Sequence, residues 1–275
     1  RSIFGTCLTH KNLMKSLQRT DQLFKHDTWL INRVDLPAAL GLLTRFPIVV
    51  DGEKAVARGA ASAWAFPLVG VIVGVVLAMS TSVLLGFGIP SGIAAAIALA
   101  ISVIATGAMH EDGLADSADG LWGGWDKARR LAIMKDSNTG VYGVSAIALA
   151  LLIRWLALSA IVAFGIHWMA LIAAATLSRT SMVVLMAVMP NARNSGLSQT
   201  VGRPAANTTW LAIGIGAVVA IACGYAVLVL VVAVATLICG LIAQAKIGGQ
   251  TGDILGATQQ ITELAALVSI VAMLG

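Results

Sequence analysis

Long apolar runs, separated by a few polar connections, are the feature that most restricts how this chain can fold. A helix that spans a bilayer needs about 20 consecutive apolar residues. One run is long enough for two short helices that turn near Gly224. The sequence therefore predicts an all-α, polytopic integral membrane helical bundle of about seven membrane segments. The runs cover about residues 60–86, 91–109, 141–163, 166–189, 209–245 and 254–275.

The scarcity of charged residues supports this fold class. They make up 11% of the 275 residues, against about 25% in a soluble globular domain. So few charges cannot coat a water-exposed surface of this size. We therefore expect a lipid bilayer around the bundle and no nucleic-acid partner. Whether the chain forms a homo-oligomer stays an open question.

The chain divides into a polar extension, residues 1–34, and a membrane-embedded catalytic domain, residues 35–275. Within the extension, residues 13–30 mix leucines with basic residues, which suits an interfacial helix on an anionic membrane surface, although a partly disordered tail fits equally well. Residues 36–50 are apolar but only half a bilayer long. They predict an interfacial or re-entrant element that places Thr44 and Arg45 near the membrane surface.

The polar connections allow a topology to be assigned. They cover residues 110–136, 191–208 and 246–253, and two spans separate each from the next, so all three lie on one side. The basic N-terminal segment lies on that side too. An excess of Lys and Arg marks the cytoplasmic side of a membrane protein. We expect a cytoplasmic face that holds nearly all the chemistry.

Three aspartates in the first polar connection form a candidate metal site. Asp112, Asp116 and Asp119 stand at i, i+4 and i+7, so a helix would place them on one face. Three carboxylates on one face repel each other unless a cation neutralises them. A solvated helix face is the alternative, but no Lys interrupts residues 111–119. Oxygen ligands without Cys favour Mg²⁺, or Mn²⁺ as an alternative ion, and phosphoryl transfer is their natural use.

Three neighbouring residues are candidates for the catalytic groups. His110 is either a general base or a hydrogen-bonded structural residue. Glu111 points about 100° away from Asp112 on a helix and either completes the metal site or acts as a base. Asp136 follows a basic segment, and its context resembles a helix end aimed at the aspartates.

Cations near the aspartates are candidates for phosphate binding, because Arg presents a planar fork to phosphate oxygens. Arg129, Arg130 and Lys135 follow the acidic stretch, although topology anchoring alone also explains such cations. Arg179 lies within an apolar run, where it should face the bundle interior and pair with an acid or anion. The full set of candidate substrate-binding residues is Thr44, Arg45, Arg129, Arg130, Lys135, Arg179, Arg193 and Asp253. Asp253 belongs to a Gly-rich turn whose amides could form an anion nest.

Short motifs along residues 36–270 carry a resemblance to a known family. They are Thr44–Pro47, Phe66–Gly70, Thr106–Gly107 with His110, Asp112–Asp116 with Asp119–Gly120, Ile133–Ser137 with Gly140 and Gly143, Ser178–Arg179, Ala192–Arg193 with Gly196–Leu197, and Thr251–Asp253 with Leu255–Ala257. In these motifs the chain resembles the cobalamin synthase family, the adenosylcobinamide-GDP ribazoletransferases. Members often carry acids where Asn194, Ser195 and Gln260 stand here, so acidic roles at these positions are not carried over.

The resemblance implies an enzyme, a phosphoryl-group transferase of cobalamin biosynthesis. Such an enzyme joins α-ribazole, or its 5′-phosphate, to adenosylcobinamide-GDP and releases GMP. The resemblance further implies Mg²⁺ on Asp112, Asp116 and Asp119, Arg and Lys on the leaving GMP, and residence in the bacterial inner membrane with a cytoplasmic active face.

Two other functions share parts of this pattern. A CDP-alcohol phosphotransferase also uses helix-borne aspartates, but its arrangement of Ala-Arg, Gly and two further aspartates is not reproduced here. A cation transporter with an acidic site should place its acids near the bilayer midplane. The acids of this chain are predicted at the membrane edge beside a basic loop, which favours catalysis on an anionic substrate.

Overall fold

The computed structural model describes residues 29–274, so the predicted interfacial helix over 13–30 lies almost wholly outside the described residues. The regular elements of the described residues are helices, without a strand. In chain order they are α1 (Asp35–Leu43), α2 (Gly52–Arg58), a 3₁₀-helix (Gly59–Ala65), α3 (Phe66–Gly86), α4 (Ser91–Thr106), α5 (Met109–Gly123), α6 (Lys127–Ile133), α7 (Val141–Ala163), α8 (His167–Val188), α9 (Leu197–Val201), α10 (Ala206–Ala222), α11 (Val227–Ile247) and α12 (Gly252–Ala272).

Within residues 29–274, five helical segments are long and apolar enough to cross a membrane alone: Gly52–Gly86, which contains α2 and α3, and helices α7, α8, α11 and α12. Helices α4 and α5 qualify only as a pair, bent by 87°. Helix α10 has 17 residues, about 26 Å. The polytopic helical membrane protein is thus confirmed, with five or six segments by these criteria and α10 as a shorter apolar helix.

The connections alternate between the two ends of the bundle. The predicted break of the run 209–245 is confirmed, because Gly224 (φ 84°) turns the chain between α10 and α11. At the other end the polar loops touch one another: Arg193 pairs with Asp253, and Arg130 donates to the carbonyl of Lys246 at the end of α11. The polar connections therefore meet at one end, as the loop order predicts.

Helices α3 and α8 pack so closely that glycines of α3 contact the backbone of α8. A Cβ at Gly70 would overlap the backbone of Ala175 and Thr176, and one at Gly74 would overlap that of Ile172. Small residues allow such close packing in membranes, where apolar side chains gain nothing by leaving lipid. The Gly-x-x-x-Gly spacing here thus holds two neighbouring helices together.

Helix α1 is held against the bundle by a buried ion pair that the sequence analysis did not single out. Arg58 donates from Nε and Nη2 to the two oxygens of Asp35, at 2.6 and 2.7 Å. The indole of Trp64 donates to the same carboxylate at 2.7 Å. With nine residues, α1 is too short to span a bilayer. It fits the interfacial element predicted for this region.

Candidate active site

The acidic helix α5 begins at a sharp bend. Gly107 (φ 65°) and Ala108 (φ 57°) are both left-handed, and this turns α5 by 87° from α4. The left-handed conformation costs a non-glycine residue about 1–2 kcal/mol. Arg45 braces the bend: its amide donates to the carbonyl of Ala105 at 2.7 Å, and its side chain fills the space where Gly107 would carry a Cβ. Because α5 carries Glu111, Asp112, Asp116 and Asp119 and is sharply bent from α4, it lies at the polar end of the bundle and α4 alone is the apolar part of the pair.

Asp119, the third aspartate of α5, is held by the start of helix α7. Its carboxylate accepts hydrogen bonds from the amides of Gly140 and Gly143, at 2.6 and 2.9 Å, and so caps the start of α7. It is 7% exposed. Among the described residues, no three His, Cys, Asp or Glu side chains are grouped as a metal site. The two hydrogen bonds from the start of α7 occupy the third carboxylate, and the ligand set of Asp112, Asp116 and Asp119 stays a prediction.

Asp253 of helix α12 adds a further negative charge near Asp112 and Asp116. Helices α5 and α12 approach closely because Gly113 faces the backbone of Asp253 and Gly256. Partial burial, followed by the negative charges of Asp112 and Asp253, raises the pKa of Asp116 above its usual range. Carboxylates that oppose one another's ionisation favour a bound cation. Since Mg²⁺ uses one or two protein carboxylates together with substrate phosphates, this donor set fits it.

Arg193 supplies positive charge at the same place. Its Nη2 lies 3.0 Å from Asp253 Oδ2, and Thr251 Oγ1 donates to that oxygen at 3.1 Å. Arg193 Nη1 is buried without a hydrogen-bond partner among the described residues. The two predicted substrate-binding residues, Arg193 and Asp253, are thus brought together, with one guanidinium nitrogen left to bind an anion.

A cavity of about 150 Å³ opens beside these charges. His110, Asp112, Arg193 and Asp253 contribute polar groups to its wall, and most of the remaining wall is apolar. His110 is 1% exposed, and no described residue is a hydrogen-bond partner of its Nε2. The structure therefore places one predicted catalytic residue, one predicted metal ligand and two predicted substrate-binding residues around a single space.

A buried network of charges lies within electrostatic reach of His110, where α5, α7, α8 and α12 meet. Arg154 donates to Glu263 at 2.6 Å and to Glu111 at 3.2 Å. Arg179 lies 3.5 Å from the other oxygen of Glu263. The expectation that Arg179 faces the interior and pairs with an acid is confirmed. Neither Glu111 nor Arg179 lines the cavity, so the catalytic and substrate-binding roles predicted for them have no support in this geometry.

Several other predicted residues serve the fold or lie on the surface. Thr44 is buried and donates to the carbonyl of Leu40 at 2.7 Å. Arg130 donates to the carbonyls of Gly124 and Lys246, at 3.0 and 2.9 Å, and so ties the segment before α6 to the end of α11. These contacts account for Thr44 and Arg130 without a substrate.

The remaining three predicted residues are exposed at the polar end. The Arg129 guanidinium lies over the Trp125 ring, 5.6 Å from its centroid. Asp136 accepts from the side-chain amide of Asn138 at 2.8 Å, and neither it nor Lys135 lines the cavity. The Asp136 carboxylate has this local partner in the turn after α6, and its expected direction toward the aspartates stays a prediction.

One charged residue of the network, Arg154, escaped the sequence analysis. Arg154 stands alone in the apolar run 141–163, which is the same signal that singled out Arg179. Glu263, in the last apolar run, is its main partner. An isolated charge within a span indicates an opposite charge in a neighbouring span.

Comparison with known proteins supports the family resemblance that the sequence motifs indicate. The sequence profile described as cobalamin-5-phosphate synthase matches residues 35–271. A protein of Bradyrhizobium diazoefficiens, named adenosylcobinamide-GDP ribazoletransferase, is 39% identical over 238 residues, which cover 85% of this chain and 92% of the relative. One from Mesorhizobium japonicum with the same name is 39% identical over 242 residues, covering 85% and 91%. No solved structure matches the chain. From the profile match and the identity over most of both sequences, we conclude that this chain belongs to the cobalamin-5-phosphate synthase family.

Proposed function

We propose that this chain joins α-ribazole, or its 5′-phosphate, to adenosylcobinamide-GDP and releases GMP. The observation that carries the proposal is the meeting of Asp112, Asp253 and Arg193 around one cavity. Transfer of a phosphoryl group from a diphosphate to a hydroxyl is helped by carboxylates that hold a cation and by a guanidinium that binds phosphate oxygens. The related proteins of B. diazoefficiens and M. japonicum carry the name of this activity.

In the proposed reaction, a ribose hydroxyl oxygen of the riboside, one that stays free when the 5′ position carries a phosphate, bonds to the phosphorus next to the cobinamide. The bond from that phosphorus to the bridging oxygen breaks, and GMP leaves with its electron pair. The product is adenosylcobalamin, or its 5′-phosphate. We propose His110 as the base that takes the hydroxyl proton, because it lines the cavity with Asp112, whereas Glu111 is bound to Arg154 and Asp136 is exposed.

We propose that Asp112 and Asp116 hold Mg²⁺, or Mn²⁺, with Asp253 beside them. The raised pKa of Asp116 supports this, because after burial its main causes are the neighbouring negative charges of Asp112 and Asp253, which a bound cation would offset. A bound Mg²⁺ would neutralise charge on the diphosphate. Asp119 then acts as a support that fixes α5 to the start of α7. Arg193 contributes its unpaired nitrogen to a phosphate oxygen.

The polar end of the bundle is proposed to face the cytoplasm from the inner membrane of a bacterium. Arg45, Lys127, Arg129 and Arg203 are exposed at this end. The short turns at the opposite end, residues 87–90, 164–166 and 223–226, contain no Lys or Arg. This asymmetry follows the rule that basic loops remain in the cytoplasm. Soluble, anionic substrates would then reach the cavity directly.

The reaction can be tested with protein purified in detergent and given adenosylcobinamide-GDP, α-ribazole and Mg²⁺. We expect GMP to appear, as measured by chromatography, only when α-ribazole is present. CDP-diacylglycerol with an alcohol acceptor should give no CMP, and proteoliposomes should show no Mg²⁺ uptake above lipid alone. A folded preparation that releases no GMP would overturn the proposal.

A further inference from the structure

The cavity that shares Asp112 and Asp253 with the acidic site has a mainly apolar interior. Leu43, Phe66, Met182 and Met186 in its wall are all buried, and Met109 is partly buried. We infer that this cavity holds the flat aromatic base of the riboside acceptor. The inference deepens the proposed function and rests on it.

The size of the cavity selects among the parts of the two proposed substrates. Its volume is about 150 Å³, and apolar cavities of about this volume hold a benzene-sized ring in other proteins. The cavity is open on one side, so a bicyclic base can enter with its sugar toward the opening. A corrin macrocycle is far too large for this space.

The chemistry of the wall distinguishes between the two bases. Guanine carries hydrogen-bonding groups along most of its edge. The proposed function assigns the charged groups of this wall, Asp112, Arg193 and Asp253, to the cation and the diphosphate, so most of the edge of a guanine would face apolar side chains and lack partners after it loses water. A dimethylated benzimidazole in a riboside has one free ring nitrogen and is otherwise apolar. The thioethers of Met109, Met182 and Met186 also make favourable contacts with aromatic rings. The wall therefore fits the acceptor's base better than the donor's guanine.

The position of the cavity connects the base to the reaction. Asp112 and Asp253 belong both to its wall and to the charged group around Asp116. A base held among the methionines would keep its ribose next to these carboxylates. The attacking hydroxyl would then stand where the diphosphate and its cation are proposed to bind.

Filling the cavity is the direct test. Met186→Trp adds a large ring to the wall from helix α8. Val188→Trp is the matched control, because Val188 lies on the same helix but is 61% exposed on an apolar face away from the cavity. For each protein, the KM for α-ribazole is measured at saturating adenosylcobinamide-GDP, and the KM for adenosylcobinamide-GDP at saturating α-ribazole.

We expect Met186→Trp to raise the KM for α-ribazole by about tenfold or more, the order of effect that a lost apolar pocket has on substrate selection. The KM for adenosylcobinamide-GDP should stay within about twofold, and Val188→Trp should leave both constants near those of the unsubstituted protein. A rise confined to adenosylcobinamide-GDP, or no change in either constant, would overturn the base assignment while GMP release still upholds the proposed function.

Direct binding decides the matter if the unsubstituted protein releases no GMP, an outcome that would refute the proposed function itself. Calorimetric titration with α-ribazole should then show binding that Met186→Trp abolishes and Val188→Trp retains. Absence of binding to the unsubstituted protein would overturn the inference. If Met186→Trp fails to fold, Met186→Ala enlarges the cavity and should shift the kcat/KM ratio toward a riboside with a larger tricyclic base. An unchanged ratio would count against the cavity as the base site.

Discussion

Replacement of Arg154 by Met tests whether the buried network carries much of the stability of the bundle. Arg154 is 2% exposed within the membrane-spanning helix α7. It donates to Glu263 at 2.6 Å, to Gln260 at 2.8 Å and to Glu111 at 3.2 Å. Met fills a similar space but supplies no charge and no donor. The substitution therefore leaves two buried carboxylates to share the remaining cation, Arg179.

The expected loss follows from how the two carboxylates are paired. Removing one partner of a buried ion pair costs about 3–5 kcal/mol, because the other charge stays buried without compensation. Glu263 keeps Arg179 at 3.5 Å, whereas the ion pair of Glu111 within the described residues is with Arg154. We therefore expect the lower part of that range, about 3 kcal/mol. For a chain of this size, this corresponds to a fall in Tm of about 6–12 °C.

The assay is thermal unfolding in detergent, followed by the fraction of protein that remains monodisperse after heating. The rescue experiment makes the reasoning specific. Adding Glu111→Gln to Arg154→Met should recover most of the loss, because Glu263 then remains paired with Arg179. Adding Glu263→Gln should recover less, since Glu111 stays charged and unpaired. A single variant within about 2 °C of the unsubstituted protein, or equal rescue by the two second substitutions, would refute this account.

Three further predictions concern the site itself. Asp116→Asn should lower GMP release by more than about 100-fold, because it removes a proposed cation ligand. Its Tm should stay level or rise, because repulsion from Asp112 and Asp253 is relieved. Full activity would contradict the proposed metal site. Gly143→Ala places a methyl group against the Asp119 carboxylate and should cost about 1–3 kcal/mol in thermal unfolding. The matched Gly214→Ala meets no atom within 4 Å of its Cβ and should be neutral or stabilising, so an equal loss in both variants would contradict the role of Asp119 as a cap. Removal of divalent cations with EDTA should abolish GMP release and added Mg²⁺ should restore it; release that persists in EDTA would exclude a metal requirement.

The membrane fold could be derived from the sequence because the bilayer leaves few alternatives. A chain in hydrocarbon must satisfy its backbone hydrogen bonds internally, so a long apolar run becomes a helix wherever it crosses. The same reasoning placed the turn at Gly224 and brought the polar connections to one end, as the contact of Arg193 with Asp253 confirms. Asp112 and Asp116 could also be paired in advance, since they are one helical turn apart.

The partners of individual side chains could not be derived in this way. Asp119 shares a helix face with Asp112 and Asp116 by spacing, yet the amides of Gly140 and Gly143 attract its carboxylate toward α7. Asp253 joins the group from the far end of the chain because α12 packs against α5 where both carry glycine. Arg154 gave a signal of its own, but nothing in the sequence says that Glu111 and Glu263 are the acids it meets.

The acidic cluster is therefore determined partly by the local sequence pattern and partly by the packing of helices. Hydropathy and the helical period depend on residues that are near one another in the chain, and these alone determined the spans, their polar end and two of the aspartates. Which charge faces which depends on helix packing between residues more than a hundred positions apart, as in the pair of Arg154 and Glu263. Only the tertiary structure could decide that Asp253 also stands near Asp116, because close contact between two helices selects the neighbours of a side chain.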